Sequence, residues 1–193
     1  MTTDLLSTHR VLVRRAHSTA EIDAVLVGRH RVYSEEHDFF ERTADGRIHD
    51  RFDTYPDTTV HLVAELDGRI VGGVRYCIDE RSVGLPVDDV FDFTSHVRAA
   101  DLLACGSMLF VLGDVERRGI ATWLILGGET WAAEREASAM VGVVNPAITR
   151  LFGRLGYNPV ASGQRRANGL PFVPVVKRLS RARPAVPTWI DLR

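Results

Sequence analysis

The chain has 193 residues, 45% of them hydrophobic, and a formal net charge of −1. This length can bury one sizeable core, and the balanced charge gives no overall attraction to nucleic acid or to an anionic membrane. No apolar run reaches the roughly 20 residues of a membrane span, and the N-terminus lacks the apolar segment of a signal peptide. We therefore expect a cytoplasmic protein with no membrane partner. Residues 1–180 are expected to form one domain, and residues 181–193 a mobile tail in which Trp189 and Ile190 are available to dock.

The first half of the chain predicts a strand, a helix and a hairpin. Residues 10–15 have the character of a short strand, and Ser18 with Glu21 has the form of a capping box that opens a helix. Residues 59–65 and 69–77 are two strand-like runs joined by a glycine-containing turn. That arrangement is typical of a β-hairpin.

The second half predicts alternating strands and helices. Residues 104–112 form a continuous apolar run typical of a central strand, and residues 137–144 form another. Asn145 suits a helix cap and Pro146 the first helical position, so a helix is expected to begin there. Two closing strands are predicted at residues 157–161 and 172–179.

Residues 111–124 change from an apolar strand to a charged turn and then to helical spacing. The first N–H groups of a helix have no partner within it, and the helix dipole is positive there, so such a start can bind an anion. Arg117 and Arg118 add positive charge, and Gly119 allows a ligand to approach the backbone closely. The segment predicts a phosphate or pyrophosphate site, although an ordinary surface turn before a helix has the same form.

The same segment resembles the acyl-donor motif of the GNAT acyltransferases. That motif is Gln or Arg, two variable residues, Gly, one variable residue, then Gly or Ala, and it stands here as Glu116-Arg117-Arg118-Gly119-Ile120-Ala121. Glu116 departs from it, which we expect to weaken the site. The resemblance implies an α/β (α+β) GNAT fold, with a mixed central sheet of six to seven strands and about four helices. It also implies that a pantetheine thioester, on acyl-CoA or on a phosphopantetheinyl carrier protein, binds along Leu109, Val111, Arg117, Arg118, Gly119, Ile120, Ala121 and Thr122.

A second block resembles the C-terminal part of the same family, in which Asn begins a helix that ends at Gly-Phe or Gly-Tyr. Its residues here are Asn145, Ile148, Leu151, Phe152, Gly156 and Tyr157. The resemblance implies that Asn145 and Phe152 border the donor, while Asn145 also suits a simple helix cap. Phe152 stands where the family often has a tyrosine that protonates the leaving thiolate. That role passes to another group or to water, or the thiolate leaves unassisted.

A looser pattern in the N-terminal half resembles the acyl-homoserine-lactone synthases and the related N-acyl amino acid synthases. Its residues are Arg29, Tyr33, Phe39, Asp50, Asp53, Gly72 and Arg75. Those enzymes commonly move a fatty acyl group from acyl carrier protein to an amino group. The resemblance implies substrate contacts from Arg29, Tyr33, Phe39, Arg75 and Ser107. These synthases usually carry Glu and Arg on the strand that corresponds to residues 104–110, but this chain has Cys, Gly, Ser and Met at residues 105–108. Lactone synthesis and a specific acceptor are therefore not carried over.

The chemistry expected of this fold is direct attack of an amine on a thioester, for which a base must remove the ammonium proton. The candidates are Asp50, Asp53, Glu36 and His49. Both aspartates also suit helix caps or loop carboxylates, and Arg29 also suits an ion pair with one of them. Cys105 is a candidate nucleophile, but an apolar strand raises the pKa of a thiol and makes it inert.

We expect an N-acyltransferase that uses acyl-CoA or acyl carrier protein and acts on a small amine or amino acid. No permanently bound cofactor is expected, and the histidine spacing predicts no metal site. The protein is expected to be a monomer or a homodimer. Two alternatives stay open: an aminoacyl-tRNA-dependent transferase of the same fold, and a non-catalytic GNAT domain that senses an acyl donor.

Overall fold

The computed structural model describes residues 9–79, 83–113, 119–166, 169–180 and 189–192. In these residues one mixed sheet carries three α-helices and several shorter helical turns. Strand β1 (His9–Arg15) is followed by helix α1 (Thr19–His30). Ser18 caps this helix: its side chain accepts a hydrogen bond from Glu21 N, and Glu21 in turn accepts from Ser18 N. The expected capping box is therefore present. A π-helical turn, Arg31–Glu36, extends the helix.

The hairpin consists of β2 (Thr59–Leu66) and β3 (Arg69–Ile78), preceded by a short 3-10 turn at Arg51–Thr54. Its register begins with Leu66 opposite Arg69, but it shifts at Ala64/Glu65. This β-bulge puts an extra residue into β3 and changes which residues face each other further along the hairpin.

Strand β4 (Leu103–Val111) is followed by α2 (Ile120–Glu134) and β5 (Ala139–Val144). A 3-10 turn (Pro146–Ile148) then leads into α3 (Thr149–Arg154). The remaining strands are β6 (Asn158–Pro159), β7 (Gln164–Arg165), β8 (Pro171–Arg178) and β9 (Trp189–Leu192).

The strand order across the sheet is β6-β8-β5-β4-β3-β2-β1-β9, with β7 paired to β8 off this path. The β4–β5 pair is parallel, whereas the pairs β1–β2, β2–β3, β3–β4 and β5–β8 are antiparallel. Strand β9 pairs with β1 inside the segment predicted as a mobile tail. Residues 181–188 and 193 of that segment lie outside the described residues.

The two long helices pack on opposite faces of the sheet. A Cβ on Gly72 would meet Ile120 and Leu124 of α2, whereas a Cβ on its neighbour Gly73 would meet the Phe110 ring, which also contacts α1 at Gly28. Because side chains alternate along a strand, Tyr76 faces α2 and Arg75 faces the side of α1. A smaller apolar cluster covers that same side further along and contains Phe52, Cys77, Leu85, Phe93 and Cys105.

None of the helices in the described part of the chain is long and apolar enough to cross a membrane.

Candidate active site

The central strands β4 and β5 are paired over only part of their length. Their paired positions are Leu103–Ala139, Ala104–Met140 and Cys105–Val141, although β4 continues to Val111 and β5 to Val144. Beyond Cys105 the edge of β4 that faces β5 is therefore open, and its backbone N–H and C=O groups can bind a ligand.

A bulge in β4 lies within this open stretch. Met108 has a φ of 55°, which is unusual for a residue other than glycine, and the pairing with β3 shifts between Gly73 and Arg75. The extra residue bends the strand and changes its twist. The bulge places the sequence-predicted donor residues Leu109 and Val111 after the bend.

Helix α2 begins beyond the end of β4, at Gly119. This glycine has a φ of 73°, and among the described residues no atom beyond its chain neighbours lies within 4 Å of where a Cβ would stand. In the described residues no side chain caps the helix start, so the first N–H groups, from Ile120, Ala121 and Thr122, lack helix partners. That geometry fits an anion. Glu116, Arg117 and Arg118 lie outside the described residues.

Four of the sequence-predicted residues form one buried charged cluster on the α1 side of the sheet. Arg29 Nη1 donates to Asp53 Oδ1 at 3.0 Å, and Arg75 Nη1 lies 3.0 Å from Asp53 Oδ2. Arg75 also donates to both carboxylate oxygens of Asp50 and, through Nε, to Ser107 Oγ at 3.1 Å. Both arginine side chains are fully buried. The cluster joins α1, the 51–54 turn, β3 and β4.

The two carboxylates of this cluster differ in exposure and in bonding. Asp53 is 6% exposed at its side chain, whereas Asp50 is 37% exposed. Burial acts to raise the pKa of Asp53, but the charges of Arg29 and Arg75 outweigh it and hold the pKa below its ordinary value. Each aspartate also takes part in a capping box at the 51–54 turn. The expectations of helix caps and of an ion pair with Arg29 are therefore confirmed by the contacts.

The cluster contains a histidine that the sequence analysis missed. His61 Nδ1 lies 3.1 Å from Arg29 Nη2, and His61 Nε2 lies 3.4 Å from Asp53 Oδ1. Because an arginine can only donate, Nδ1 accepts and the ring proton is on Nε2. Burial and the charge of Arg29 lower the pKa of His61 to about 4, so the ring is neutral at pH 7. The signal in the sequence was a polar residue flanked by apolar ones, Val60 on one side and Leu62 to Ala64 on the other.

Tyr33 connects the N-terminal pattern to the open edge of β4. Its hydroxyl donates to the carbonyl oxygen of Leu109, and its ring packs against Phe39 and Phe40 at centroid distances of 6.3 and 5.7 Å. Burial of the hydroxyl raises the pKa of Tyr33 to about 12. The structure thus brings together residues predicted for the acceptor and for the donor.

The other two candidate bases lie apart from this cluster. Glu36 is exposed and accepts a 3.0 Å hydrogen bond from Arg31, and its Oε2 would lie 3.7 Å from a Cβ on Gly113. His49 is exposed and lines a shallow pocket with Phe40, Arg47 and Ile48. Glu36 is therefore next to the end of β4, while His49 is exposed to the solvent.

The C-terminal block forms the elements that its spacing predicts. Asn145 Oδ1 accepts from Ala147 N at 2.9 Å, so Asn145 is a helix cap. Phe152 packs edge-on against Tyr157 at 5.0 Å and is half-buried. Asn145 directly follows β5, the strand that borders the open edge of β4, and Phe152 lies in α3 after it.

Cys105 has no feature of a nucleophile. Its side chain is fully buried, and that burial raises the pKa of its thiol well above the ordinary value. In the described ranges no group of His, Cys, Asp and Glu residues has the arrangement of a metal site.

The family model of the N-acyl amino acid synthase FeeM matches residues 25–177. The chain belongs to this family. The match spans both the charged cluster and the C-terminal block, and it makes the protein an N-acyltransferase of the FeeM and GNAT type. The sequence-based expectation of that enzyme class is confirmed. No curated protein matches the chain.

Solved structures of three kinds share the fold. FeeM from uncultured soil microbes has a TM-score of 0.73 at 16% identity, over 89% of this chain and 92% of its own. The CoA-dependent acyl-homoserine lactone synthase BjaI, solved with SAM and isopentyl-CoA, has a TM-score of 0.71 at 17% identity. The match covers 89% of this chain and 84% of BjaI. A GNAT acetyltransferase from Streptococcus pneumoniae has a TM-score of 0.62 at 19% identity. The match covers 88% of this chain and 99% of the acetyltransferase. The GNAT-like α+β fold expected from sequence is confirmed.

Proposed function

We propose that this FeeM-family protein transfers an acyl group from a pantetheine thioester, on CoA or on a carrier protein, to the amino group of an amino acid. The observation that carries the proposal is the open edge of β4 beyond Cys105, followed by the start of α2 at Gly119, which no described side chain caps. An extended pantetheine arm can bond to the strand backbone while its phosphate lies at the helix start.

The reaction forms one bond and breaks another. The ammonium group of the acceptor loses a proton to a base, and the amine nitrogen then attacks the thioester carbonyl. The C–N bond forms, the C–S bond breaks, and the second proton on nitrogen passes to the thiolate. The protein contributes alignment and an N–H group for the developing oxyanion, and the open backbone of β4 supplies such groups.

The base is proposed from the four candidates. Asp53 is the least suited of them, because its lowered pKa makes it a poor proton acceptor and both oxygens face arginines. Both oxygens of Asp50 also accept from Arg75, but its side chain is 37% exposed and is therefore accessible to an acceptor, unlike that of Asp53. Glu36 lies next to the end of β4. We therefore place Asp50 and Glu36 ahead of Asp53 for this role.

Purified protein is incubated with pooled amino acids and with the same acyl groups presented on CoA or on acyl carrier protein. Mass spectrometry is expected to detect an N-acyl amino acid with at least one donor, and the ratio of the two rates identifies the carrier. Free thiol is measured in parallel, because thioester hydrolysis releases thiol without an amide. Release of thiol with no amide, or no turnover with any donor, would contradict the proposal.

A further inference from the structure

Ser107 lies at the start of the open stretch of β4. It is two residues beyond Cys105, the last residue of the strand that pairs with β5. Its Oγ accepts a hydrogen bond from Arg75 Nε at 3.1 Å, so its side chain is on the α1 face of the sheet, and it is half-buried. A ligand that enters the opening between β4 and β5 therefore comes close to this hydroxyl.

The hydroxyl of Ser107 is only partly used by the protein. A serine hydroxyl has one proton to donate and two lone pairs, and an arginine can only donate, so Arg75 occupies one lone pair. Among the residues that the structure describes, no acceptor receives the Ser107 proton. The Tyr33 hydroxyl, by contrast, donates to the carbonyl oxygen of Leu109. Ser107 therefore offers a donor and a lone pair to a ligand.

The length of a pantetheine arm matches the distance from the start of α2 to Ser107. A Cβ on Gly72 would meet Ile120 Cγ2 at 3.3 Å, and Gly72 pairs with Val111, so the helix start is level with the end of β4. Ser107 pairs with Arg75, three residues further along β3, which is about 10 Å. A pantetheine arm has about 13 bonds from phosphorus to sulfur and spans about 15 Å. A phosphate a few ångströms beyond the helix start thus brings the sulfur level with Ser107.

Arg75 holds the proposed base Asp50 and Ser107 on one guanidinium. Its Nη1 and Nη2 donate to the two oxygens of Asp50, and its Nε donates to Ser107. An amine that gives its first proton to Asp50 therefore lies beside Ser107 as well. The charge of Arg75 also stabilises the negative charge that develops on Ser107 Oγ as its proton leaves.

We propose that Ser107 is a catalytic residue that relays the second amine proton to the leaving sulfur. The inference rests on the proposed function, since it completes the proton transfers of that reaction. Oγ gives its proton to the sulfur as the C–S bond breaks, and it takes a proton from the nitrogen that has attacked the carbonyl. The nitrogen loses one proton, the sulfur gains one, and Ser107 is unchanged at the end of the turnover.

The test varies the leaving thiol. The acyl group and carrier that give the highest rate in the transferase assay supply an alkyl thioester, and the thiophenol thioester of the same acyl group supplies an aryl one. An aryl thiolate is the weaker base and leaves without a proton. Amide formation is measured by mass spectrometry, and the uncatalysed rate is subtracted.

Ser107→Ala is expected to lower the rate with the alkyl thioester about 100-fold, as for the loss of proton transfer by a positioned side chain. Its rate with the thiophenol thioester is expected to stay close to that of the wild type. Ser107→Thr keeps a hydroxyl and is expected to restore most of the alkyl rate. In the wild type, D₂O is expected to slow the reaction of the alkyl thioester more than that of the thiophenol thioester, a comparison that needs no variant.

Ser138→Ala is the matched control. Ser138 is a half-buried serine next to β5, at the end where β4 and β5 are paired, and its Oγ donates to Asp101 Oδ1 at 3.0 Å. This variant is expected to keep both rates.

The relay and the transferase fail in different ways. An unchanged alkyl rate in Ser107→Ala, equal losses with the two thioesters, no recovery in Ser107→Thr, or equal D₂O effects would overturn the relay while the transferase stands. Equal losses would make Ser107 a residue that positions the reactants. No amide from the wild type with either thioester would reject the transferase and the relay with it.

Discussion

Arg75 and Asp50 are joined by two parallel hydrogen bonds, from Nη1 to Oδ1 at 2.5 Å and from Nη2 to Oδ2 at 2.8 Å. The same guanidinium contacts Asp53 and Ser107, so one side chain of β3 links the 51–54 turn to β4. Two arginines and two aspartates balance their charges within this cluster. Through Ser107, the cluster stabilises the part of β4 that lies next to the bulge at Met108.

Asp53→Asn is expected to lower the free energy of unfolding by about 3–5 kcal/mol, because it leaves buried arginine charge without compensation. Urea unfolding followed by circular dichroism measures the loss. Asp23→Asn is the matched control, since Asp23 pairs with Arg47 at the surface and its side chain is 45% exposed. That exposed pair is worth about 0–1 kcal/mol. Equal losses in the two variants would show that the buried cluster does not stabilise the fold.

His61 is expected to make stability depend on pH in the weakly acidic range. Its pKa is about 4 in the folded protein and 6.5 in the unfolded chain, so below pH 6.5 the unfolded chain binds a proton that the folded protein does not. Stability therefore falls as the pH decreases, by about 2 kcal/mol between pH 7 and pH 5.

Urea titrations at a series of pH values measure this slope. His61→Gln is expected to flatten the slope over pH 7 to 5, whatever its effect on stability at neutral pH. His49→Gln removes an exposed histidine and is expected to leave the slope unchanged. A steep slope that persists in His61→Gln would assign the pH dependence to other groups.

The position of His61 shows where sequence reasoning ends. The turn after Leu66 predicts a hairpin, and a regular register would place His61 opposite Val74. The bulge at Ala64/Glu65 shifts the register and places His61 opposite Arg75 instead. Local residue preferences indicate a strand and a turn, but a bulge is decided by packing on both faces of the sheet.

The opening between β4 and β5 also depends on a β-bulge that the sequence does not predict. The apolar run at residues 104–112 predicts a central strand, and the structure has one at Leu103–Val111. Nothing in a methionine predicts the positive φ of Met108, which is imposed by the surrounding sheet. By contrast, the resemblance to the acyl-homoserine-lactone and N-acyl amino acid synthases grouped Arg29, Asp53 and Arg75, and an ion pair of Arg29 with one of the aspartates was already an open interpretation. The pairing of Arg75 is a finding of the structure, and it satisfies the requirement of a buried charge for a partner.

Gly119→Asp is expected to weaken CoA binding about 100-fold, because it places a carboxylate within a few ångströms of the donor phosphates. Gly119→Asn is the matched control: it has the same shape without the charge, and asparagine tolerates a positive φ. Within the described part of the chain a Cβ at this position meets no neighbouring side chain or backbone, so both variants are expected to fold. Isothermal titration with CoA measures the effect. Equal affinity in the two variants would remove Gly119 from the donor site.

Gly128→Ala is expected to destabilise the packing of α2 on the sheet. A Cβ there would overlap the Tyr76 ring, and that ring is anchored because its hydroxyl donates to Leu124 O at 3.2 Å. Overpacking of this kind costs about 1–3 kcal/mol. Gly153→Ala in α3 is the control, because among the described residues no atom outside its own stretch of helix lies within 4 Å of its Cβ position, and alanine favours a helix by about 1 kcal/mol. The midpoint temperature of thermal unfolding should fall in Gly128→Ala and rise in Gly153→Ala. A shift of the same sign in both variants would contradict this packing.

Cys105→Ala is expected to retain turnover, because the amine attacks the thioester directly and no acyl-enzyme forms on this thiol. The side chain is fully buried beside the last paired residues of β4 and β5, and its raised pKa leaves little thiolate at neutral pH. Intact-protein mass spectrometry after incubation with acyl-CoA alone should show no added acyl mass. Iodoacetamide should label Cys77 and Cys105 only after denaturation, since both are buried. A stable acyl adduct on Cys105, lost in the alanine variant together with turnover, would replace direct transfer by a two-step reaction.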